Sequence, residues 1–296
     1  MHKARYISIL VLSLSFLTCE NSAKEKDIPN YRLNEPSIKS KLPETLDEVS
    51  GVYYSDIQNI AMVQDEIGTI FFYNLESKDI SDSFSFSGKG DFEGITKVKN
   101  SYFVLRSDGT LFQVISGKSS YFNGKSYSLD LPNLDCEGIC YDSSSNRLLI
   151  STKAVEDDDD DLDEIPRRIY GFNLKTKTFS KEPIISLTVK SIEKFLKKHE
   201  GDLQIRDDHK KKIKFQPSDM AIHPTNGNLY IISASGNLLC ITNLNGNIKE
   251  IYFLDEDLYP KAEGISFGSD GELYITNEID GETATLLQIK YEKLHE

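Results

Sequence analysis

Tryptophan is absent from this sequence of 296 residues, and sulfur is scarce, with four cysteines and three methionines. Four cysteines are too few for a small scaffold that is held together by disulfides in place of a core. Histidine is also rare, with five residues and no two at the spacing of metal ligands, so no histidine-based metal centre is expected. The apolar fraction of 39% is that of a globular protein with a full hydrophobic core.

Positive charge is in deficit. The sequence has 34 Lys and Arg against 47 Asp and Glu, which gives a formal net charge of −13. Such a surface repels a phosphate backbone, so nucleic acid is not expected as a partner. The densest acidic block is 156–164, with eight acids among nine residues. A block of this kind is usually solvated, and the alternative is a binding loop for a basic partner.

A long hydrophobic run is missing as well. The apolar segment from Ile7 to Leu17 is interrupted by serines and falls short of the roughly 20 residues that a membrane span needs. Because Lys3 and Arg5 precede it, the segment has the organisation of a secretory signal. It ends at Cys19, as in bacterial lipoprotein signals, in which the cysteine is lipidated. Thr18 departs from the small residue usual at that position, which leaves an ordinary signal peptide with a chance cysteine as the alternative.

These features set the expected domain organisation. We predict a signal peptide over 1–18, a polar tether over 19–30 and one folded domain over 31–296. Loss of the signal peptide removes two basic residues and changes the net charge from −13 to −15. The expected location is the cell envelope, with a monomer attached to a membrane through lipidated Cys19 and facing the periplasm or the exterior.

The most informative pattern is an internal repeat. Five segments share an acid or a hydroxyl residue, then a small or flexible residue, then an apolar strand. The residues that set the register lie 43, 44, 82 and 44 positions apart, and they are Ser50, Glu93, Glu137, Asp219 and Glu263. A period in the forties is typical of the blades of a β-propeller.

Each repeat continues with turn residues and further apolar strands, so we predict an all-β fold, a five-bladed β-propeller. The last repeat ends before its fourth strand, and residues 31–33 are expected to supply it, because closing the ring removes an open sheet edge. The long step of 82 positions is assigned to two non-strand segments of the third blade, 154–166 and 188–214. The second has apolar residues at helical spacing and is predicted to contain a short surface helix. Six blades are the alternative.

The repeated segments resemble the SdiA-regulated family of bacterial envelope proteins, and the resemblance covers residues 31–291. It is carried by the segments 46–51, 90–95, 136–142, 217–224 and 262–267 together with 273–278. The family is similar to phytase-type and esterase-type propellers. The resemblance implies a secreted or membrane-attached propeller with calcium as a ligand, and it supplies no catalytic mechanism.

Polar residues are expected to meet at one rim of the central channel. In a propeller the first strand of each blade lines this channel, and its start lies beside the end of the second strand. The predicted metal ligands are Glu48, Asp91, Glu93, Asp135, Glu137, Asp219, Glu263 and Glu278. The predicted ligand-binding residues are Asp65, Arg106, Lys153 and Asn277.

A rim of this composition invites a cation. Two carboxylates 4 Å apart repel by about 4 kcal/mol at an effective dielectric constant of 20. Oxygen ligands at flexible spacing suit calcium best, so calcium is the expected cofactor. The alternative is that each acid accepts hydrogen bonds from the backbone of the next blade. The pairs expected within blades are Ser50 with Asp65, Glu93 with Arg106, Glu137 with Lys153, Asp219 with Ser235, and Glu263 with Glu278.

The sequence therefore favours a lipid-anchored extracytoplasmic propeller that binds a divalent cation and a small or peptide ligand at an acidic channel mouth. A second hypothesis is a metal-assisted hydrolase of phosphoesters or esters, with Glu263 as base and Arg106 or Lys153 stabilising negative charge. A third is a protein-interaction scaffold. The segment 264–268 matches the nucleophile elbow of α/β-hydrolases, but its serine falls inside a predicted strand rather than at a strand-to-helix turn.

The lipid anchor is tested by replacing Cys19. We expect the Cys19→Ser protein to leave the membrane fraction, because no other segment is long and apolar enough to hold it there. Cell fractionation and immunoblotting of both proteins measure the change, and labelling with radioactive palmitate detects the lipid directly. Unchanged membrane retention of Cys19→Ser would contradict lipidation as the cause of attachment.

Overall fold

The computed structural model describes residues 30–115, 124–129, 135–154, 163–199, 212–278, 281 and 283–292. The predicted signal peptide, Cys19, most of the predicted tether and residues 156–162 of the acidic block lie outside the described residues. Within the described ranges no helix is long and apolar enough to cross a membrane.

The described strands form five antiparallel sheets, which confirms the five predicted blades. Strand β1 is Ile38–Lys41. Blade 1 contains β2 (Val49–Tyr54), β3 (Asn59–Gln64), β4 (Ile67–Asn74) and β5 (Asp79–Lys89). Blade 2 contains β6 (Phe92–Val98), β7 (Ser101–Arg106), β8 (Thr110–Ile115) and β9 (Lys125–Ser128). Blade 3 contains β10 (Cys136–Asp142), β11 (Arg147–Thr152), β12 (Arg167–Asn173), β13 (Thr178–Phe179) and β14 (Ile185–Leu187).

The last two blades follow a helix. Helix α1 is Val189–Lys198. Blade 4 contains β15 (Asp219–Ile222), β16 (Leu229–Ser233), β17 (Leu238–Thr242) and β18 (Ile248–Phe253). Blade 5 contains β19 (Ala262–Phe267), β20 (Leu273–Asn277), β21 (Thr285–Ile289) and β1 from the start of the domain. The first strands β2, β6, β10, β15 and β19 contact one another in sequence, and contacts between β19 and β2 complete the ring.

Ring closure by the N-terminal part of the chain is confirmed, but the closing segment differs from the predicted one. Strand β1 pairs with β21, with Ile38 opposite Gln288 and Lys41 opposite Thr285. The predicted segment, 31–33, precedes this strand. Tyr31 and Leu33 are instead buried in the hydrophobic cluster between blades 4 and 5. The side chains of Tyr31 and Leu33 are largely apolar and pack in this interior, whereas the exposed outer edge of blade 5 is formed by the more polar strand β1.

Blade 3 carries the predicted helical insertion. Strand β12 pairs with both β13 and β14, so its outer edge is divided between two short strands. Helix α1 begins with a capping box, in which the Thr188 side chain accepts from Ser191 N–H and the Ser191 side chain accepts from Thr188 N–H. Val189, Ile192 and Leu196 are buried on the side that faces blade 4. The amphipathic pattern therefore predicted this helix correctly.

The strand registers define two faces of the ring. In blade 1, Val49 at the start of β2 lies opposite Gln64, and Tyr54 at its end lies opposite Ile60. All five blades follow this course, so the starts of the first strands share one face, which we call the mouth face. The opposite face carries the turns that join the first and second strands, and we call it the turn face.

The acid-glycine repeat has a packing explanation. A Cβ atom placed on Gly51 would lie 2.6 Å from the Cα atom of Gly94 in the next blade. One placed on Gly138 would lie 2.7 Å from the Cα atom of Asp219. Real Cβ atoms do not approach so closely, so the inner strands pack at this distance only because glycine has no side chain.

The N-terminal segment is fixed to the turn face by a buried histidine. The Nδ1 atom of His223 accepts hydrogen bonds from the backbone N–H groups of Thr225 and Asn226, at 3.1 and 3.2 Å. The ring proton therefore lies on Nε2, which donates to the Tyr31 hydroxyl at 2.8 Å. That hydroxyl donates in turn to the carbonyl of Gly271. Every polar atom of this network is satisfied only while His223 is neutral, and burial lowers its pKa to about 4.

Acid should weaken the fold through His223. Between pH 6.5 and about 4, His223 binds a proton in the unfolded chain but not in the folded protein. The folded state therefore loses stability as the pH falls through this window. We expect a loss of about 2–3 kcal/mol from this residue. In His223→Asn the side-chain oxygen still accepts from the turn but does not titrate, so the dependence on pH should flatten.

Urea unfolding of both proteins at a series of pH values measures this difference, and the carboxylates common to both cancel from it. Parallel curves of unfolding free energy against pH would contradict the role of His223.

Candidate functional site

The structure brings carboxyl groups from four blades together at the mouth face. Each of them interacts electrostatically with at least one other, so they form a continuous acidic rim. Its members are Glu48, Asp65, Asp91, Glu93, Asp135, Glu137, Glu263 and Glu278. Two lysines, Lys153 and Lys261, lie among them. The rim therefore contains far more potential negative charge than its own basic residues balance.

The predicted pairing of Glu137 with Lys153 is present. The Lys153 ammonium lies 2.5 Å from a carboxylate oxygen of Glu137, which is 2% exposed. Burial raises the pKa of Glu137 to about 8, and the charge of Lys153 opposes this shift. Removal of the lysine would leave a buried carboxyl group with no cation beside it.

Two pairs of acids in the rim hydrogen-bond to each other. Glu93 bonds to Asp91, and its pKa is raised to about 10 by burial, by the charge of Glu137 and by this contact. Glu48 of blade 1 bonds to Glu278 of blade 5, and this contact, followed by burial, raises the pKa of Glu48. One carboxyl of such a pair must carry a proton to donate, or a cation must replace that proton.

Two other residues take partners that the sequence did not predict. Arg106 turns away from Glu93 and pairs with Asp108, with Nε to Oδ1 at 3.0 Å and Nη2 to Oδ2 at 2.7 Å. Glu278, which was predicted to pair with Glu263, forms an ion pair with Lys261 instead. Lys261 was missed by the sequence reasoning. It stands two residues before Glu263, and the alternation of side chains along an extended chain was the signal available.

Asp219 is placed differently from the rest of the predicted ligands. It is 2% exposed, and its oxygens accept from the N–H groups of Met220 at 2.8 Å and Ile265 at 3.0 Å. It also accepts from the backbone of Ile139. Asp219 of blade 4 thus joins blades 3 and 5, as the backbone-bonding alternative anticipated. Ser50 makes a similar contact, donating to the carbonyl of Phe92 in the next blade at 2.5 Å.

Glu263 lies deep in the rim beside a serine that the sequence reasoning did not single out. The Ser218 side chain hydrogen-bonds to Glu263. Its oxygen also accepts from the N–H of Ala234 at 3.2 Å. Burial raises the pKa of Glu263, and Ser218 and the nearby lysines oppose the shift. By contrast Ser266, the serine of the elbow-like segment, lies within β19 and accepts from Tyr54 N–H at 2.9 Å.

Two oxygens of the predicted site residues are buried without a hydrogen-bond partner among the described residues. They are Oδ1 of Asp65 and Oδ1 of Asn277. Burial, then the charges of Glu48 and Asp91, raises the pKa of Asp65. The amide nitrogen of Asn277 is in use, since it donates to the carbonyl of Leu258 at 3.1 Å and to Thr285 at 2.9 Å. Buried acceptors of this kind are stabilised by a cation or by a donor from a ligand.

Asn277 and Glu278 also line a cleft of about 890 Å³ beside the rim. Its lining includes Lys39 and Lys41 of β1 and acids that include Glu256. The cleft is therefore lined by both positive and negative side chains. Its volume is in the range of small-molecule sites.

The rim suits a hard cation in its chemistry, since all its donors are oxygens. Among the residues that the structure describes, no three His, Cys, Asp or Glu side chains converge closely enough to enclose a metal ion. The carboxyls come in pairs. A cation held by one pair would complete its coordination with water, as magnesium and weakly bound calcium do.

Together the ring and its rim define a five-bladed β-propeller with an acidic channel mouth. The chain belongs to the SdiA-regulated family, whose model matches residues 25–280. This agrees with the resemblance read from the repeated segments. No curated protein matches the chain in sequence.

The chain is similar to several solved structures. Glutaminyl cyclase from Myxococcus xanthus superposes with a TM-score of 0.57 at 10% identity, covering 86% of this chain and 94% of that one. A luciferin-regenerating enzyme gives a TM-score of 0.49 at 12% identity, covering 86% and 95%. Virginiamycin B lyase from Staphylococcus aureus gives 0.43 at 13% identity, covering 87% and 74%. At these identities the first superposition supports the fold alone.

The ion pair between Glu137 and Lys153 provides a test of the rim. We expect Lys153→Gln to destabilise the protein by about 2 kcal/mol at pH 9, below the usual 3–5 for a buried pair because the Lys153 side chain is 35% exposed. Without the lysine the pKa of Glu137 rises further. The unaltered folded protein releases the Glu137 proton near pH 8, whereas the folded variant keeps it to a higher pH, so the loss should grow above about pH 8.

Thermal unfolding at pH 5 and pH 9 measures the effect, with Lys175→Gln on the turn face as the control. Glu137→Gln/Lys153→Gln should recover most of the lost stability at pH 9. Equal losses at the two pH values would contradict the pairing described here.

Proposed function

We propose that this protein is a membrane-anchored, extracytoplasmic propeller that binds a divalent cation, with calcium as the first candidate, and a small or peptide ligand at its acidic mouth. The observation that carries the proposal is the unbalanced rim, in which acids hydrogen-bond to acids and Asp65 keeps a buried oxygen without a partner among the described residues. A bound cation would reduce the repulsion between the paired acids and would also give the buried Asp65 oxygen a partner.

The Asp91–Glu93 pair is the best-supported position for the cation. Asp91 interacts with Asp65, whose buried oxygen has no partner among the described residues, so these acids would gain most from a positive charge. The Glu48–Glu278 pair has less need of one, because Lys261 already lies beside Glu278. Asp219 is left out of the site, because backbone N–H groups satisfy its oxygens.

The ligand would bind where the rim meets the cleft. Asn277 offers an unused acceptor, Glu278 a negative charge, and Lys39 with Lys41 positive charges. These groups suit a small polar molecule or a peptide that carries both an amino group and a carboxylate.

The hydrolase hypothesis has weaker support. Arg106 and Lys153, its two candidates for stabilising negative charge, already pair with Asp108 and Glu137. It stays a prediction, as does the scaffold hypothesis. Turnover of p-nitrophenyl esters or phosphates that depends on calcium and disappears in Glu263→Gln would favour the hydrolase.

Cation binding is tested by thermal unfolding of the Cys19→Ser protein. Because a ligand that binds only the folded state stabilises it, calcium should raise the melting temperature and EDTA should lower it. Asp91→Asn/Glu93→Gln should abolish the response to calcium, and Glu76→Gln, an exposed acid of the turn face, should leave it intact. Magnesium in place of calcium tests the choice of ion.

Element analysis of protein purified without chelator identifies the bound ion directly. The absence of any metal, together with no melting shift in calcium or magnesium, would overturn the cation site.

A further inference from the structure

The turn face differs from the mouth face in both charge and connection to the tether. The described chain begins at Asn30, whose carbonyl accepts from the N–H of Glu292. Glu292 follows β21 at the turn face, and Tyr31 is held there by His223 and Gly271. The tether therefore joins the propeller at the turn face, opposite the acidic rim.

The tether is short. Cys19 lies eleven residues before Asn30, so the connection spans no more than about 40 Å when fully extended. A lipid at Cys19 would hold the turn face near the membrane. The length alone does not prevent the ring from tilting, so the orientation depends on the charges of the two faces.

The turn face carries a basic patch under blades 2 and 3, in a protein whose net charge is −13. The patch consists of Lys99, Lys125, Lys175 and Lys177, all exposed. Within the described ranges none of the four forms an ion pair with an acid. Burial, and then the positive charge of Lys125, lowers the pKa of Lys177, so Lys125 and Lys177 lie close enough to interact.

The contacts of Lys177 keep the patch close to the ring surface. Its ammonium lies 5.7 Å from the centre of the Phe103 ring and 5.8 Å from that of Tyr127, both on blade 2. Lys177 itself follows β12 of blade 3, so the patch spans the boundary between the blades. On this face Glu76 and Asp270 belong to blades 1 and 5, and Asp142 of blade 3 is buried and paired with Arg147.

We propose that the basic patch docks on an anionic membrane surface, so that the turn face lies against the lipid headgroups and the acidic mouth faces away from them. Anionic lipids attract lysines close to the surface and repel the rim, and both effects favour the same orientation. The inference rests on the lipid anchor of the proposed function. It does not depend on the cation or the ligand.

The lipidated full-length protein, reconstituted in phosphatidylcholine vesicles with about 30% phosphatidylglycerol, tests the orientation. A fluorescent label on Thr176→Cys reports the turn face and one on Glu66→Cys reports the mouth face. The three described native cysteines are buried and will not take the label. Nitroxide on the lipid headgroups should quench the label at position 176 several-fold more than the label at position 66.

Charge removal provides the matched comparison. Lys99 and Lys177 have φ values of 55° and 60°, where asparagine is well accommodated, so Lys99→Asn/Lys125→Gln/Lys175→Gln/Lys177→Asn should fold normally. In this variant, and in vesicles without phosphatidylglycerol, the quenching ratio should fall toward one. The control Lys39→Gln/Lys194→Gln/Lys197→Gln/Lys198→Gln removes the same charge elsewhere and should keep the ratio.

Equal quenching at the two positions in the unaltered protein, or a ratio that survives loss of the patch, would overturn the proposal. Failure of the cation site is distinguished by the melting response to calcium, which this experiment does not use. Failure of the anchor is distinguished by flotation of the full-length protein against Cys19→Ser in the same vesicles.

Discussion

The close approach of five inner strands is the constraint on which the rest of the structure depends. At Gly51 and Gly138 the neighbouring backbone fills the space that a side chain would occupy. Asp219 adds to this packing by accepting from backbone groups of both neighbouring blades. Because the strands converge at this distance, the polar residues at their starts converge too, and the acidic rim follows from the packing of the ring.

The rim combines two uses of the same type of residue. Asp219 is an acid whose oxygens are satisfied by the main chain, and it holds blades together. Asp91 and Glu93 bond to each other, and Asp65 retains an oxygen without a partner among the described residues. The first arrangement stabilises the ring by itself, whereas the second becomes favourable when protons or a cation are supplied. Position in the repeat does not distinguish them, since Glu93 and Asp219 occupy equivalent places.

The blade count and the acidic rim were predictable from the sequence because both follow from a repeated local pattern. The closing strand was not, since β1 reads Ile-Lys-Ser-Lys and buries only Ser40, whereas Tyr31 and Leu33 look more like a strand. Pairing within a blade succeeded for Glu137 with Lys153. It failed where partners come from another blade, as for Glu48 with Glu278, or from the adjacent turn, as for Arg106 with Asp108. These choices depend on how blades are rotated against each other, which a linear pattern does not contain.

The pairing of β1 with β21 also has a consequence for how the protein is made. The first strand of the domain pairs with the last described strand, with Ile38 opposite Gln288, so the ring cannot close before β21 has been made. Blade 5 therefore stays incomplete until β21 has left the ribosome. Pairing between strands so far apart in the chain is slow, so the ring closes late in folding.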